Sequence, residues 1–177
     1  MTYRILTGLL IGLLILSCNH SEKKLFLNKQ IDLKNYFSVN IPDNWSIEND
    51  TTNFLSAIFF SDTSKTIQNT IVYNVICDSA EIHINEHFAL MMDTITLNYG
   101  LEKRNGIFSN INEFQTYQFD ISGFDPLNEI GYIETHHYMK IRNKKGHLTF
   151  TVRRNKLELT KQDSILTKNI LNSITRN

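Results

Sequence analysis

Five residues near the middle of this chain, His83-Ile84-Asn85-Glu86-His87, have types and spacing that can do chemistry. Two imidazoles four positions apart lie one turn apart on a helix, where they can share a zinc ion, and a glutamate beside them can take a proton from the water that zinc activates. A metal-dependent hydrolase using His83, Glu86 and His87 is therefore the sharpest catalytic reading the chain offers. A zinc site also needs a third convergent ligand and groups that orient it. With Ile84 at the centre of an apolar helical stripe and about 100° per residue, His87 falls at the stripe's edge, His83 on its flank and Glu86 nearly opposite. His83 and His87 are then weak metal candidates, a surface histidine pair is the expectation, and neither metal nor other cofactor is expected.

A second group sits on a run of β-character. Glu134, His136 and Tyr138 share one face of a strand and Lys140 continues it, whereas His136 and His137, as neighbours, must point to opposite sides. A polar row beside aromatics can line a groove, and an exposed sheet face with cross-strand pairs gives the same pattern. Phe88, Met91, Met92 and Tyr117 could line a cavity for an apolar ligand, and as core they need no ligand at all. Cys77 alternates with apolar residues and reads as a small buried hydrophobe. The chain has no glycine-rich phosphate loop, no nucleophile elbow and no Cys-x-x-Cys.

The elements that must position these residues follow from the periodicity. Phe37, Val39 and Ile41 alternate with polar neighbours up to the turn Pro42-Asp43-Asn44, and Trp45 and Ile47 begin the next strand, with Trp45 as a structural anchor. Further strands are expected over residues 54–61 and 70–77. Asp78 and Glu81 have capping-box spacing, which predicts a helix from there to Tyr99, stopped by Gly100, with Ile84, Phe88, Met91, Ile95 and Tyr99 on its buried face. Tyr117, Phe119 and Ile121 form one face of a strand broken at Gly123-Phe124-Asp125-Pro126. A hairpin follows, residues 130–142 turning through Asn143 to Gly146 into Leu148, Phe150 and Val152. Thr160 and Asp163 cap a closing helix whose apolar face is Leu166, Ile170 and Ile174. Strands joined by short turns pair antiparallel, so the fold class is α+β: a twisted antiparallel β-sheet with helices packed on it.

Residues 1–17 precede all of this. Arg4 is their only charge, and the apolar run from Leu9 to Leu16 is followed by Ser17 and Cys18. That run is too short to span a ~30 Å hydrocarbon core comfortably and reads as a removable export signal. Ile15-Leu16-Ser17-Cys18 resembles the lipobox of bacterial lipoprotein precursors, although Leu16 stands where a small residue is usual. The resemblance implies cleavage before Cys18, lipid on its thiol and an acylated amine, a multi-chain anchor that holds a protein durably on a membrane. Asn19 follows the cysteine rather than aspartate, which favours the outer membrane. The expected organisation is a signal peptide at 1–17, a lipidated tether at 18–31 and one globular domain at 32–177.

The 18 basic and 18 acidic residues balance, which excludes the concentrated positive field that nucleic acid or an anionic membrane surface would need. With Cys18 lipidated, Cys77 would be the only thiol left, so a packed core rather than a disulfide must hold the domain. Phe37-Ser38-Val39-Asn40-Ile41-Pro42-Asp43-Asn44-Trp45, one mid-chain helix, a long hairpin and the closing Ile170-Leu171-Asn172-Ser173-Ile174 resemble the PsbP/Mog1-like domains over roughly residues 35–175. The resemblance implies an α/β/α sandwich acting as a binding or assembly module, with no family catalytic residue to carry over. The sequence therefore points to a non-enzymatic, lipid-anchored envelope module for a protein or small-molecule partner.

Overall fold

The computed structural model describes residues 26–33, 36–51, 55–142, 144–155 and 159–177, so the signal segment and Cys18 lie outside the described residues. Ten strands and two helices follow in order: β1 (Lys29–Leu33), β2 (Phe37–Ile41), β3 (Ser46–Thr51), β4 (Leu55–Ser61), β5 (Ile71–Asp78), α1 (Glu86–Asn98), β6 (Glu102–Ile111), β7 (Phe114–Asp125), β8 (Ile130–Ile141), β9 (His147–Arg154), α2 (Lys161–Asn172) and β10 (Thr175–Arg176). Seven strands make one sheet in the order β3-β4-β5-β9-β8-β7-β6, and β1-β2-β10 make a second. Every pairing among the described residues is antiparallel.

Side-chain alternation on β7 separates the two faces of the large sheet. Tyr117, Phe119 and Ile121 pack with Ile84, Phe88 and Met92 under α1. Phe114 joins Tyr73, Phe150 and the α2 residues Leu166 and Ile170 on the opposite side, together with Phe37, Val39 and Ile41 of the small sheet. The layers are thus α1, the seven-stranded sheet, then α2 beside the small sheet, an α+β sandwich. No helix of the described residues is long and apolar enough to cross a membrane.

The α2 start matches its sequence signature: Thr160 Oγ1 accepts from the Asp163 N–H at 3.1 Å, and Asp163 accepts in return from the Thr160 N–H at 3.3 Å. The α1 start does not. Asp78 ends β5 and accepts from the Ala80 N–H, and the helix opens eight residues later, capped by Asn85. The reason lies in the sheet, whose side chains take the intervening carbonyls: His147 Nδ1 meets Ala80 O, Lys140 donates to Ile82 O and Gln115 to Ile84 O. A segment whose carbonyls are bonded outward cannot form the i to i+4 ladder. The late start also moves the buried face by one position. Phe88, Met92 and Thr96 go inward, while Met91 is 42 % exposed and Ile95 and Tyr99 face solvent. Gly100 ends the region as expected, at φ +67°, with the Leu101 N–H returning to Thr96 O.

Three further boundaries differ from the expectation. Pairing begins at Lys29, inside the stretch read as tether, because β1 buries little beyond Leu33 and shows almost no alternation. Strand β6 carries its apolar residues mostly exposed and has a register shift between Arg104 and Ile107, which hides its period. Strand β7 continues through Gly123 to Asp125. Gly123 does not break it: a Cβ there would stand 2.4 Å from Tyr132 Oη on the facing strand, so the glycine makes room for that ring.

Candidate functional site

Helix α1 covers β6 and β7 and reaches β8 through Phe88, whose ring meets Tyr138 at 5.1 Å. Beyond it the sheet face over β8, β9, β5 and β4 is not covered by any described helix and forms a trough of about 550 Å³. Strand register builds its floor as three transverse rows. The central row runs Phe59, Asn74, Thr151, His136; Val72, Arg153 and Glu134 flank it on one side, and Ala57, Ile76, Thr149 and Tyr138 on the other. Glu134, His136 and Tyr138 therefore do share the face expected of them, and His137 points to the opposite side of the sheet. Lys140 is withdrawn from the row, buried, with its ammonium on Ile82 O.

A continuous polar chain crosses the floor. Asp125 Oδ2 accepts from Arg153 Nη2 at 3.0 Å, Arg153 Nη1 stands 3.9 Å from Glu134 Oε1, Glu134 Oε2 meets His136 Nε2 at 3.1 Å, and His136 Nδ1 lies 3.3 Å from Thr151 Oγ1. Arg153 also lies over the Tyr132 ring, and His136 stacks on Phe119 at 5.3 Å. The Asn128 side chain holds the Asp125 carboxyl below its ordinary range, with its backbone, Leu127 and Arg153 adding to the effect. Burial raises the Tyr138 phenol. Asn74 Oδ1 is buried at the middle of the floor without a hydrogen-bond partner among the described residues.

Hydroxyl, imidazole and carboxylate in this order are the parts of a nucleophile with its base and orienting group. Acyl transfer would also need donors opposite the nucleophile for the developing oxyanion. The strand N–H groups around Thr151 belong to the ladders with β5 and β8. Arg153, Asp125, Asn74 and Thr151 had no separate signal in the sequence. Only the pairings of β7 with β8, β8 with β9 and β9 with β5 bring them to Glu134 and His136.

The helical pair of imidazoles does not form. His83 precedes α1, Glu86 is its first residue, and His83, Glu86 and His87 are all exposed. Among the described residues no three His, Cys, Asp or Glu side chains are placed to hold a metal ion. Replacing both His83 and His87 by alanine is expected to move the unfolding midpoint by no more than about 0.5 kcal/mol equivalent, the range of surface substitutions. A chelator-sensitive midpoint in wild type, lost in the double variant, would contradict this. Phe88, Met92 and Tyr117 pack together in the core under α1, while Met91 faces outward, so the four do not line one cavity. Trp45 is buried between Phe60 and Tyr73.

No family model and no curated protein matches the chain. Solved structures do. A Bacteroides thetaiotaomicron protein superposes with a TM-score of 0.57 at 8 % identity, covering 86 % of this chain and 49 % of its own, so this chain spans about half its length. The Ran-binding protein Mog1p of Saccharomyces cerevisiae gives 0.51 at 8 % identity over 83 % of this chain and 94 % of its own. The fold is Mog1-like. LpqN of Mycobacterium tuberculosis, described as involved in cell envelope biogenesis, shares it, with a TM-score of 0.50 at 14 % identity over 80 % of this chain and 83 % of its own. A Mog1-like fold hosts different roles in these proteins, so function has to be argued from the site.

Proposed function

We propose that this chain is a non-enzymatic binding module of the bacterial cell envelope, anchored by lipid at Cys18, and that the trough is where its partner sits. The observation that carries the reading is the half of the sheet face that no described helix covers, floored by the polar chain from Asp125 to Thr151 with Phe59, Val72 and Ile76 beside it. Such a floor is rigid, and rigid polar groups next to exposed apolar ones are what a specific contact requires. Asp125 and Glu134 both meet the Arg153 guanidinium, and Glu48 and Asp50 of β3 face the same side of the sheet by register, beyond β4. That balance suits a partner carrying cationic groups beside apolar ones. The descriptions of LpqN as an envelope-biogenesis protein and of Mog1p as a Ran-binding protein agree with an accessory role of this kind.

The test places a photo-crosslinking residue at position 59 or 72 in cells and, as a control, at Ile165 on the outer side of α2. A discrete adduct from the trough positions, absent from the control and lost when Glu134 and Arg153 are both replaced by alanine, is the expected result. Equal labelling from all three positions would remove the trough as the site. For the anchor, Cys18→Ala is expected to abolish incorporation of labelled palmitate and to release the chain from the membrane fraction or leave it uncleaved. An unlabelled variant that matures and remains membrane-bound would contradict the lipid anchor.

A further inference from the structure

The opposite face of the large sheet holds a cleft of about 340 Å³ between α2 and strands β7, β8 and β9. Two buried side-chain nitrogens that find no hydrogen-bond partner among the described residues, His137 Nδ1 and Arg154 Nε, belong to residues lining this one cleft. Leaving a buried polar group unpaired costs about 1–3 kcal/mol, more where charge is involved. Two such groups in one cleft, His137 being only 5 % exposed, mark a place built for something that completes them.

The charge there is also uncommitted. Arg153, one residue earlier, meets two carboxylates on the trough side, but among the described residues Arg154 forms no ion pair. Its Nη1 donates to Thr135 Oγ1 at 3.0 Å, and that hydroxyl donates onward to Asp120 Oδ1 at 2.7 Å. Asp120, the carboxylate in the lining, has its second oxygen occupied by Asn105 Nδ2 at 3.1 Å. From the helix side Lys168 adds an ammonium, while the Ser164 hydroxyl donates to Thr160 O at 3.0 Å and the Thr167 hydroxyl bonds Tyr73 Oη at 2.9 Å. Burial pushes the His137 ring down to about 4, so near neutrality it is an uncharged imidazole with one N–H to give. Donors thus converge from a sheet wall and from a helix wall. A planar carboxylate uses a fork on one side, whereas a tetrahedral phosphate has acceptor oxygens facing both walls.

We propose that the α2 cleft is a second binding site, separate from the trough, and that it takes a phosphate group held by Arg154, Lys168 and His137. The same chemistry is carried by a free phosphate and by a phospholipid headgroup. Arg154 supplies the charge and the fork, Lys168 the second charge, and His137 the neutral donor at the base.

The test uses the full chain in a non-ionic detergent, with NMR of the backbone amides and histidine rings. One titration uses inorganic phosphate and a second uses dihexanoyl phosphatidylglycerol, both at an ionic strength held constant with sodium chloride. Saturable shifts at His137, Ser164 and Lys168 are expected with at least one probe. Tighter saturation by the lipid identifies a headgroup as the source, and tighter saturation by inorganic phosphate identifies a free phosphate. Lys168→Ala, a surface change, is expected to weaken binding roughly tenfold, the scale of one charged hydrogen bond, and Arg154→Lys to weaken it although charge is kept. Equal shifts with sodium chloride alone, no saturable shift with either probe, or unchanged binding in both variants would overturn the site.

Discussion

Alanine in place of Trp45 is expected to lower the unfolding free energy by about 3–5 kcal/mol, the range for deleting a large buried aromatic. The side chain is 5 % exposed and is the outermost ring of a continuous set. Its centroid lies 5.4 Å from Tyr73 and 6.1 Å from Phe60; those two stack on each other at 5.2 Å, and Tyr73 continues to Phe150 at 5.9 Å. Trp45 therefore joins the turn after β2 to β4, β5 and β9. Against a total of ~5–15 kcal/mol for an ordinary domain, such a loss is a large share. Its indole N–H is buried without a partner among the described residues, so Trp45→Phe removes that donor along with some volume and is expected to cost clearly less than alanine. Denaturant midpoints of the three proteins at equal slope decide this. A midpoint unchanged by alanine would put Trp45 outside the core's energetics.

The second large effect is on acid stability. His137 is held neutral by burial, with the neighbouring His136 acting in the same direction and Asp120 against it, and its folded value falls from 6.5 to about 4. The unfolded chain binds a proton at about 6.5 that the folded chain refuses until about 4, so the unfolded state holds more protons throughout that window. Stability contributed by the neutral ring is therefore complete above about pH 6.5 and is lost progressively as the pH falls toward 4, by up to roughly 3 kcal/mol. His137→Gln removes this proton linkage. Its stability should fall less steeply than that of wild type between these pH values, and the two curves should run parallel above neutrality. Parallel curves through the acid range as well would show that His137 titrates normally.

Much of the architecture was legible because several elements bury one face only. Phe37, Val39 and Ile41, then Ile71, Tyr73, Val75 and Cys77, keep the period of two that a half-buried strand imposes, and all seven side chains are buried. The capping box at Thr160 and Asp163 was legible for the same local reason, since both partners lie within four residues. What failed was decided at long range. The α1 boundary is set by Lys140, Gln115 and His147, each far along the chain from the carbonyl it takes, so Asp78 and Glu81 could have capping spacing without capping anything. Edge strand β6 buries too little to show a period. The trough was half legible: Glu134, His136 and Tyr138 share a strand, but Asp125, Arg153, Thr151 and Asn74 join them only across the β7–β8, β8–β9 and β5–β9 pairings.

The small sheet has a consequence for the timing of assembly. β2 is flanked by β1 on one edge and by β10 on the other, and the Asn177 N–H closes on Tyr36 O. Residues 29–33 thus border a strand that stays half-paired until residues 175–177 arrive, and Phe37, Val39 and Ile41 lack their packing partners Ile170 and Ile174 until the same moment. Contacts spanning nearly the whole described chain close late, because the entropy of the intervening loop is lost before they contribute. During synthesis the chain therefore has no complete native core to lock into. The last three residues thus act as the clasp of the fold, and a chain shortened by them would leave one edge of β2 open.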